Sequence, residues 1–231
     1  MADAAPQGGV KRGQTILVHG ANGGVGTTLV QLARHAGIRV IATASPRHHD
    51  ALRELGTEPI DYDDPQLAAR VRELAPGGVD AVFDHLGGPS FERSFGLLAR
   101  GGTLVAYGTA SQRDDTNNLI LTFVGLFARL GLWSLKPNGR RALFYDFWGG
   151  KHIRPRRFRR RLAADLSSVL ALLDQGAIAP QVAASLPAAR GRQGDAARRV
   201  EDAREGSARA VSSGRASLRG GPALSSLLAR M

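Results

Sequence analysis

The chain has 231 residues, a formal net charge of +11, 43% hydrophobic residues and no cysteine. That length allows one large domain or two small ones, and the hydrophobic share is that of a chain able to bury a core. Without thiols, disulfides and thiolate zinc sites are excluded, while the charge raises nucleic acid or an anionic surface as a partner.

The charge is unevenly spread. Much of it lies in Lys151–Arg161 and in the arginines after Arg190, a patch and a tail outside the strand and helix units. The N-terminus shows no basic-then-apolar signal segment, which predicts a cytoplasmic protein. The longest apolar run, Leu119 to Trp133, is too short to span a bilayer and contains Arg129. No membrane partner is expected.

In chain order, Thr15–His19 predicts a first strand and Gly24–Ala36 its helix, with Leu29, Val30, Leu32 and Ala33 on the buried face. Arg39–Ala44 follows as a second strand, then a helix from about Pro46 to Leu55 that stops at Gly56. A short strand at Pro59–Asp61 and a helix from Pro65 to Leu74 end at Pro76-Gly77-Gly78. Val79–His85 reads as the fourth strand, Ser90–Ala99 as a helix and Thr103–Tyr107 as the fifth strand. Strands alternating with helices imply right-handed crossovers and a parallel sheet covered on both faces. The expected class is α/β, a Rossmann-type doubly wound sheet.

Between the first strand and helix lies Gly20-Ala-Asn-Gly-Gly-Val-Gly26. A glycine-dense turn that opens a helix gathers backbone N–H groups and the positive end of the helix dipole at one point, which suits a pyrophosphate. Against the G-x-G-x-x-G pattern, Gly26 and Gly23 take the third and second glycine positions, and Ala21 stands in the first. Gly23 would admit the phosphates close to the backbone, and Gly26 would let the helix pack tightly on the strand. A plain turn with a tight helix–strand contact is the alternative. Ala21, Asn22, Gly23, Gly24, Val25 and Gly26 are therefore candidate cofactor-binding residues.

The strings VHGANGGVGTTLVQLARHAG, VIATAS, VDAVFDHLGG and GGTLVAYGTAS together resemble the cofactor domain of the medium-chain dehydrogenases/reductases. The resemblance is to their zinc-free quinone oxidoreductase (zeta-crystallin-like) branch, often filed as "zinc-binding dehydrogenase". It extends through Lys136–Arg141 and Leu162–Pro187, covering roughly residues 9 to 187. It implies NADPH as cofactor, no zinc, and hydride transfer to a quinone, enal or similar carbonyl. Ala21 in place of the first glycine is usual in that branch. The resemblance also implies that Tyr62 lies beside the adenosine phosphate, that Leu86 and Gly87 line the cofactor mainly through backbone, and that Gly108 and Thr109 lie near the nicotinamide.

Cofactor choice is also readable from residues. An NAD enzyme wants Asp or Glu at the end of the second strand to hold the ribose hydroxyls. This chain has Thr43-Ala-Ser-Pro-Arg47, with no acid. Arg47, His48 and His49 are expected in the first turn of the next helix, where cations oppose the dipole unless an anion docks there. The 2′-phosphate of NADPH is the obvious anion, with Ser45 and Arg47 as its holders. Ser45 also reads as an N-cap before Pro46.

Other chemistries fare worse. Short-chain dehydrogenases need Tyr-x-x-x-Lys, and the fourth residues after Tyr62, Tyr107 and Tyr145 are Gln66, Ser111 and Gly149. Asp84 and His85 are adjacent strand residues that point to opposite faces, which disfavours a dyad. No nucleophile, metal cluster or proton-transfer pair is assignable, so the catalytic residues stay unknown. A nucleic-acid or anionic-surface module is the alternative class, resting on Lys151–Arg161. Pro155 is expected to break that run, only Phe158 offers a stacking ring, and in relatives comparable stretches are a solvated face before a helix at Leu162–Leu173.

The organisation expected is a short segment at 1–9, a NAD(P)-binding domain at 10–187 and an Arg/Gly/Ser-rich tail at 188–231 too polar to bury much surface. The resemblance implies an N-terminal GroES-like domain that is expected to be missing here, and with it appreciable activity of the chain alone. A homodimer, or a partner chain supplying that half, stays open. The tail also suggests a shifted reading frame, because Ala188 to Ser207 admits synonymous codons that a one-base shift reads as LPEAGRAMRLAESRTPGKV, a family-like ending. The nucleotide sequence decides that point.

Overall fold

The computed structural model describes residues 9–108, 119–135, 137–145, 148 and 151–181. The strands are β1 (Thr15–His19), β2 (Arg39–Ala44), β3 (Glu58–Asp61), β4 (Val79–Asp84), β5 (Leu98–Ala106) and β6 (Arg141–Phe144). The helices are α1 (Gly24–His35), α2 (His49–Glu54), α3 (Leu67–Leu74), α4 (Pro89–Gly96), α5 (Leu119–Ser134) and α6 (Pro155–Asp174), with a 3₁₀ turn at Pro46–His48. The strands form one sheet in the order β3-β2-β1-β4-β5-β6, every pair parallel. The chain reverses its direction of travel between β1 and β4, the point where such sheets bind ligands.

Alternation along the strands sorts two cores. Ile16, Val18, Val40, Ala42 and Phe83 pack with Leu29, Val30 and Ala33 of α1, Leu52 of α2 and Leu172 of α6. Leu17, Ile41, Val82 and Leu104 pack on the other face with Val71 of α3, Phe91 and Phe95 of α4 and Leu130 of α5. Both faces are dry, which is why these strands read as nearly continuous apolar runs. Among the described residues, no helix is long and apolar enough to cross a membrane.

Three expectations need correcting. β5 begins at Leu98, where a helix was expected to continue to Ala99, because Leu98 pairs with Val79. A Cβ on Gly102 would meet the Val79 carbonyl oxygen at 3.0 Å, so this glycine serves a close strand contact inside β5. Pro155 does not break the basic run: it stands in the first turn of α6, where a fixed φ and a missing N–H cost nothing. The helix at Leu162–Leu173 therefore starts seven residues earlier, and Phe158 is buried rather than available for stacking. The 3₁₀ turn and six-residue α2 replace one longer helix, so the dipole conflict read at Arg47 is weak.

Candidate cofactor site

The turn after β1 is shaped by steric limits. Gly20 takes φ +63, and a Cβ there would come within 2.4 Å of His85 Cε1. Gly20 thus does the work of the first glycine, one residue before Ala21, a role the sequence reading missed although Gly20 directly follows the strand. A Cβ on Gly26 would lie 2.3 Å from the Gly20 carbonyl oxygen and 2.8 Å from Ala21 Cα, so only glycine lets α1 pack at this distance. Gly23 is less confined, 3.3 Å from the same oxygen. Ala21 is buried; its N–H donates to the Thr43 carbonyl and its own carbonyl accepts from Thr27 Oγ1. It supports the turn from beneath.

Asn22, Gly23, Gly24 and Val25 are exposed, Val25 by 53% although apolar. Gly23 is the N-cap of α1, with no side-chain cap bond and no acid in the first turn. The first N–H groups of a helix have no intrahelical partner, so the exposed Gly24 and Val25 carry donors at the open turn. The combination of free donors, positive dipole end and glycine surface fits a pyrophosphate.

β1 and β2 run in register, His19 opposite Thr43, which brings the end of β2 beside the turn. Ser45 is the N-cap of the 3₁₀ turn but makes no side-chain cap bond. Arg47 is exposed, its Nε donating to His48 Nε2 at 3.2 Å. His49 turns back, its Nε2 lying 3.1 Å from the Ala44 carbonyl oxygen. Tyr62, just past β3, is 61% exposed rather than packed on the sheet edge. On the other side of the switch point, Gly87 and Gly88 both have positive φ, and the Leu86 N–H is engaged, donating to Asp84 Oδ1 at 2.8 Å. Gly108 approaches His85 closely, its virtual Cβ 3.1 Å from the His85 Cβ. Thr109 lies outside the described residues. The candidates therefore line the carboxyl ends of five neighbouring strands, a span of about 19 Å at ~4.8 Å per strand.

Asp84 and His85 face apart, as alternation requires. Asp84 is buried against α4, accepting from Ser90 Oγ and Ser94 Oγ at 2.7 Å each. His85 meets Tyr107 instead, with ring centroids 5.5 Å apart and the Tyr107 hydroxyl 3.4 Å from Nδ1. Burial, with the nearby Asp84 charge second, pushes the Tyr107 hydroxyl up to about 12, so it stays protonated through the physiological range. Among the described residues, no group of three His, Cys, Asp or Glu could hold a metal ion.

The family described as zinc-binding dehydrogenase matches residues 24–133, a span from the start of α1 into α5. Over that span the chain is similar to the zinc-binding dehydrogenase family. The synaptic vesicle membrane protein VAT-1 of Tetronarce californica is 46% identical over 101 residues, covering 43% of this chain and 27% of that relative. A mycobacterial protein solved in complex with NADPH superposes with a TM-score of 0.60 at 30% identity, covering 86% of this chain and 55% of the other. A quinone oxidoreductase of Pseudomonas syringae pv. tomato gives a TM-score of 0.53 at 25% identity, over 74% of this chain and 48% of that one. The match to the curated relative thus spans about a quarter of its length, and the structural matches span about half.

Proposed function

We propose that this zinc-binding dehydrogenase segment is the NADPH-binding part of an oxidoreductase that passes hydride to a quinone, an enal or a similar carbonyl. The observation that carries the reading is the uncapped, acid-free N-terminus of α1 set on a glycine turn, with Ser45 and Arg47 beside it and no carboxylate at the end of β2. In this reading Gly23, Gly24, Val25 and Gly26 hold the pyrophosphate, with Asn22 at the rim and Ala21 and Gly20 beneath. Ser45 and Arg47 take the 2′-phosphate, and Tyr62 lies beside the adenosine phosphate. Leu86, Gly87, Gly108 and Thr109 flank the nicotinamide half. A bound nicotinamide supplies the hydride; the chain's residues orient it along the sheet edge and exclude an NAD-type ribose clamp. The NADPH complex of the mycobacterial neighbour and the quinone oxidoreductase of Pseudomonas support this choice.

The organisation proposed remains 10–187 for the cofactor domain. The substrate enclosure and any second chain lie outside what these residues define, so activity of this chain alone is expected to be low. Fluorescence titration with NADPH and NADH tests the cofactor assignment. Tighter NADPH binding is expected; equal affinities would remove the roles of Ser45 and Arg47, and binding of neither would remove the site. NADPH oxidation against a quinone and enal panel tests the reaction.

A further inference from the structure

Directly beneath the turn, five buried polar side chains form a continuous chain across the switch point. His19, Thr43, Asp84, Ser90 and Ser94 are each at most 6% exposed. Thr43 Oγ1 lies 3.1 Å from His19 Nδ1, and His19 Nε2 lies 3.1 Å from Ser94 Oγ. Ser94 Oγ and Ser90 Oγ reach Asp84 Oδ2 at 2.7 Å, while the Leu86 N–H donates to Asp84 Oδ1 at 2.8 Å. At the other end, the Gly20 N–H donates to Thr43 Oγ1 at 3.3 Å. Three β-strands and α4 contribute, and alternation explains the meeting: His19, Thr43 and Asp84 share the face of Leu17, Ile41 and Val82.

Proton counting gives the chain a direction. As a carboxylate, Asp84 only accepts, so Ser94 spends its single hydroxyl proton on Oδ2. Ser94 Oγ then only accepts from His19, which requires the proton on Nε2. Nδ1 is left as an acceptor for the Thr43 hydroxyl, whose oxygen in turn accepts the Gly20 N–H. The opposite tautomer would direct the Ser94 proton at His19 and leave two acceptors facing each other 2.7 Å apart at Asp84. Only the Nε2–H form satisfies every member, and buried polar groups are satisfied as a rule.

We propose that His19, held as the neutral Nε2–H tautomer, is a positioning residue whose relay ties the Gly20 turn to the Leu86 loop and so sets the opening through which the dinucleotide crosses the sheet edge. The proposal rests on the NADPH reading above and deepens it. Each end of the relay holds a backbone amide of a loop that faces the cofactor; the same two loops also meet through Tyr107, whose hydroxyl lies 3.4 Å from both the His19 carbonyl oxygen and His85 Nδ1. Loosening one end releases the other because the middle members have one proton each to give.

Nitrogen-15 histidine spectra of the full chain without cofactor test the tautomer. A neutral Nε2–H signal at pH 7 is expected for His19; an Nδ1–H or doubly protonated ring overturns the proposal. Amide exchange tests the coupling. Thr43→Val and Ser94→Ala are each expected to speed exchange at both Gly20 and Leu86, and to weaken NADPH binding about fivefold. Exchange that rises only at the nearer amide, with affinity unchanged, overturns it. His19→Gln keeps one donor and one acceptor and is expected to bind within about twofold of the parent, whereas His19→Leu is not. A glutamine variant as weak as the leucine variant counts against the relay. If the parent chain binds no NADPH, the proposed function fails, while the spectra and exchange still decide the relay.

Discussion

Two helix N-termini in this molecule share a description and differ in what they can hold. α1 and α6 both begin without an acid in the first turn and without a side-chain cap. At α1 the N-cap is Gly23 and the first helical residue is Gly24, so nothing stands between the backbone donors and a ligand. At α6 the N-cap is Arg154, Pro155 lacks an N–H, and Arg156 and Arg157 crowd the first turn. Phe158 there is buried, with the Arg161 guanidinium 5.7 Å from its ring centre. The dipole is equal in kind at both ends. Access to the backbone makes the difference, and charge supplies none of it.

The largest effect is expected from disturbing how α1 sits on its glycine turn. Gly26→Val places side-chain carbon against the Gly20 carbonyl, and NADPH affinity in a fluorescence titration should fall more than about a hundredfold. A thermal melt of the same variant separates lost binding from lost fold; unchanged affinity would break the comparison. Next is Arg47→Ala, which should weaken NADPH about tenfold while leaving NADH as it was, because only the former carries the 2′-phosphate. Equal losses for both cofactors would place Arg47 elsewhere.

A third expectation follows from His19 beneath the α1 turn. Burial lowers its basicity below the ordinary value of 6.5, with Asp84 opposing and His85 and Arg93 adding to the effect. The unfolded chain therefore binds a proton that the folded chain resists, and stability should fall as pH drops below about 6.5 toward the lower folded value. Urea midpoints measured between pH 7.5 and 5 check this, and the His19→Gln variant should flatten the slope. An identical slope in that variant would sink the assignment. The smallest effect is expected at α6, where Arg156→Glu complements the helix dipole and should raise stability by about 0.3–1 kcal/mol. NADPH affinity should not change. A loss of affinity there would mean that the second N-terminus serves the cofactor too.

Much of this geometry was legible in the residues. β1 and β2 lie where their apolar runs predicted, and the helix between them starts at Gly24 as expected, because each is a short segment whose period and glycine punctuation agree. β5 starts five residues before Thr103, at Leu98: Gly102 makes a tight backbone contact inside the strand, and a single sequence does not distinguish such a glycine from one that ends a loop. β6, four half-buried or exposed residues at the sheet edge, has no alternation strong enough to announce it. The Ser90 and Ser94 pair stood in plain sight at helical spacing, four residues apart, but polar residues on a short helix read as surface until their partner is known.

The sequence by itself determined the order of strands and helices from β1 to β5, the glycine turn, and the acid-free end of β2, since all of these depend on neighbours within a few residues. Tertiary structure alone decided which turn glycine bears the positive φ, and that His19, Thr43, Asp84 and Ser94 meet. Those four positions come from β1, β2, β4 and α4, up to 75 residues apart, and become neighbours only through parallel pairing and the common side of the pleat. Local propensity records neither. A polar residue becomes a structural member, a site or a relay according to what the far end of the chain places against it.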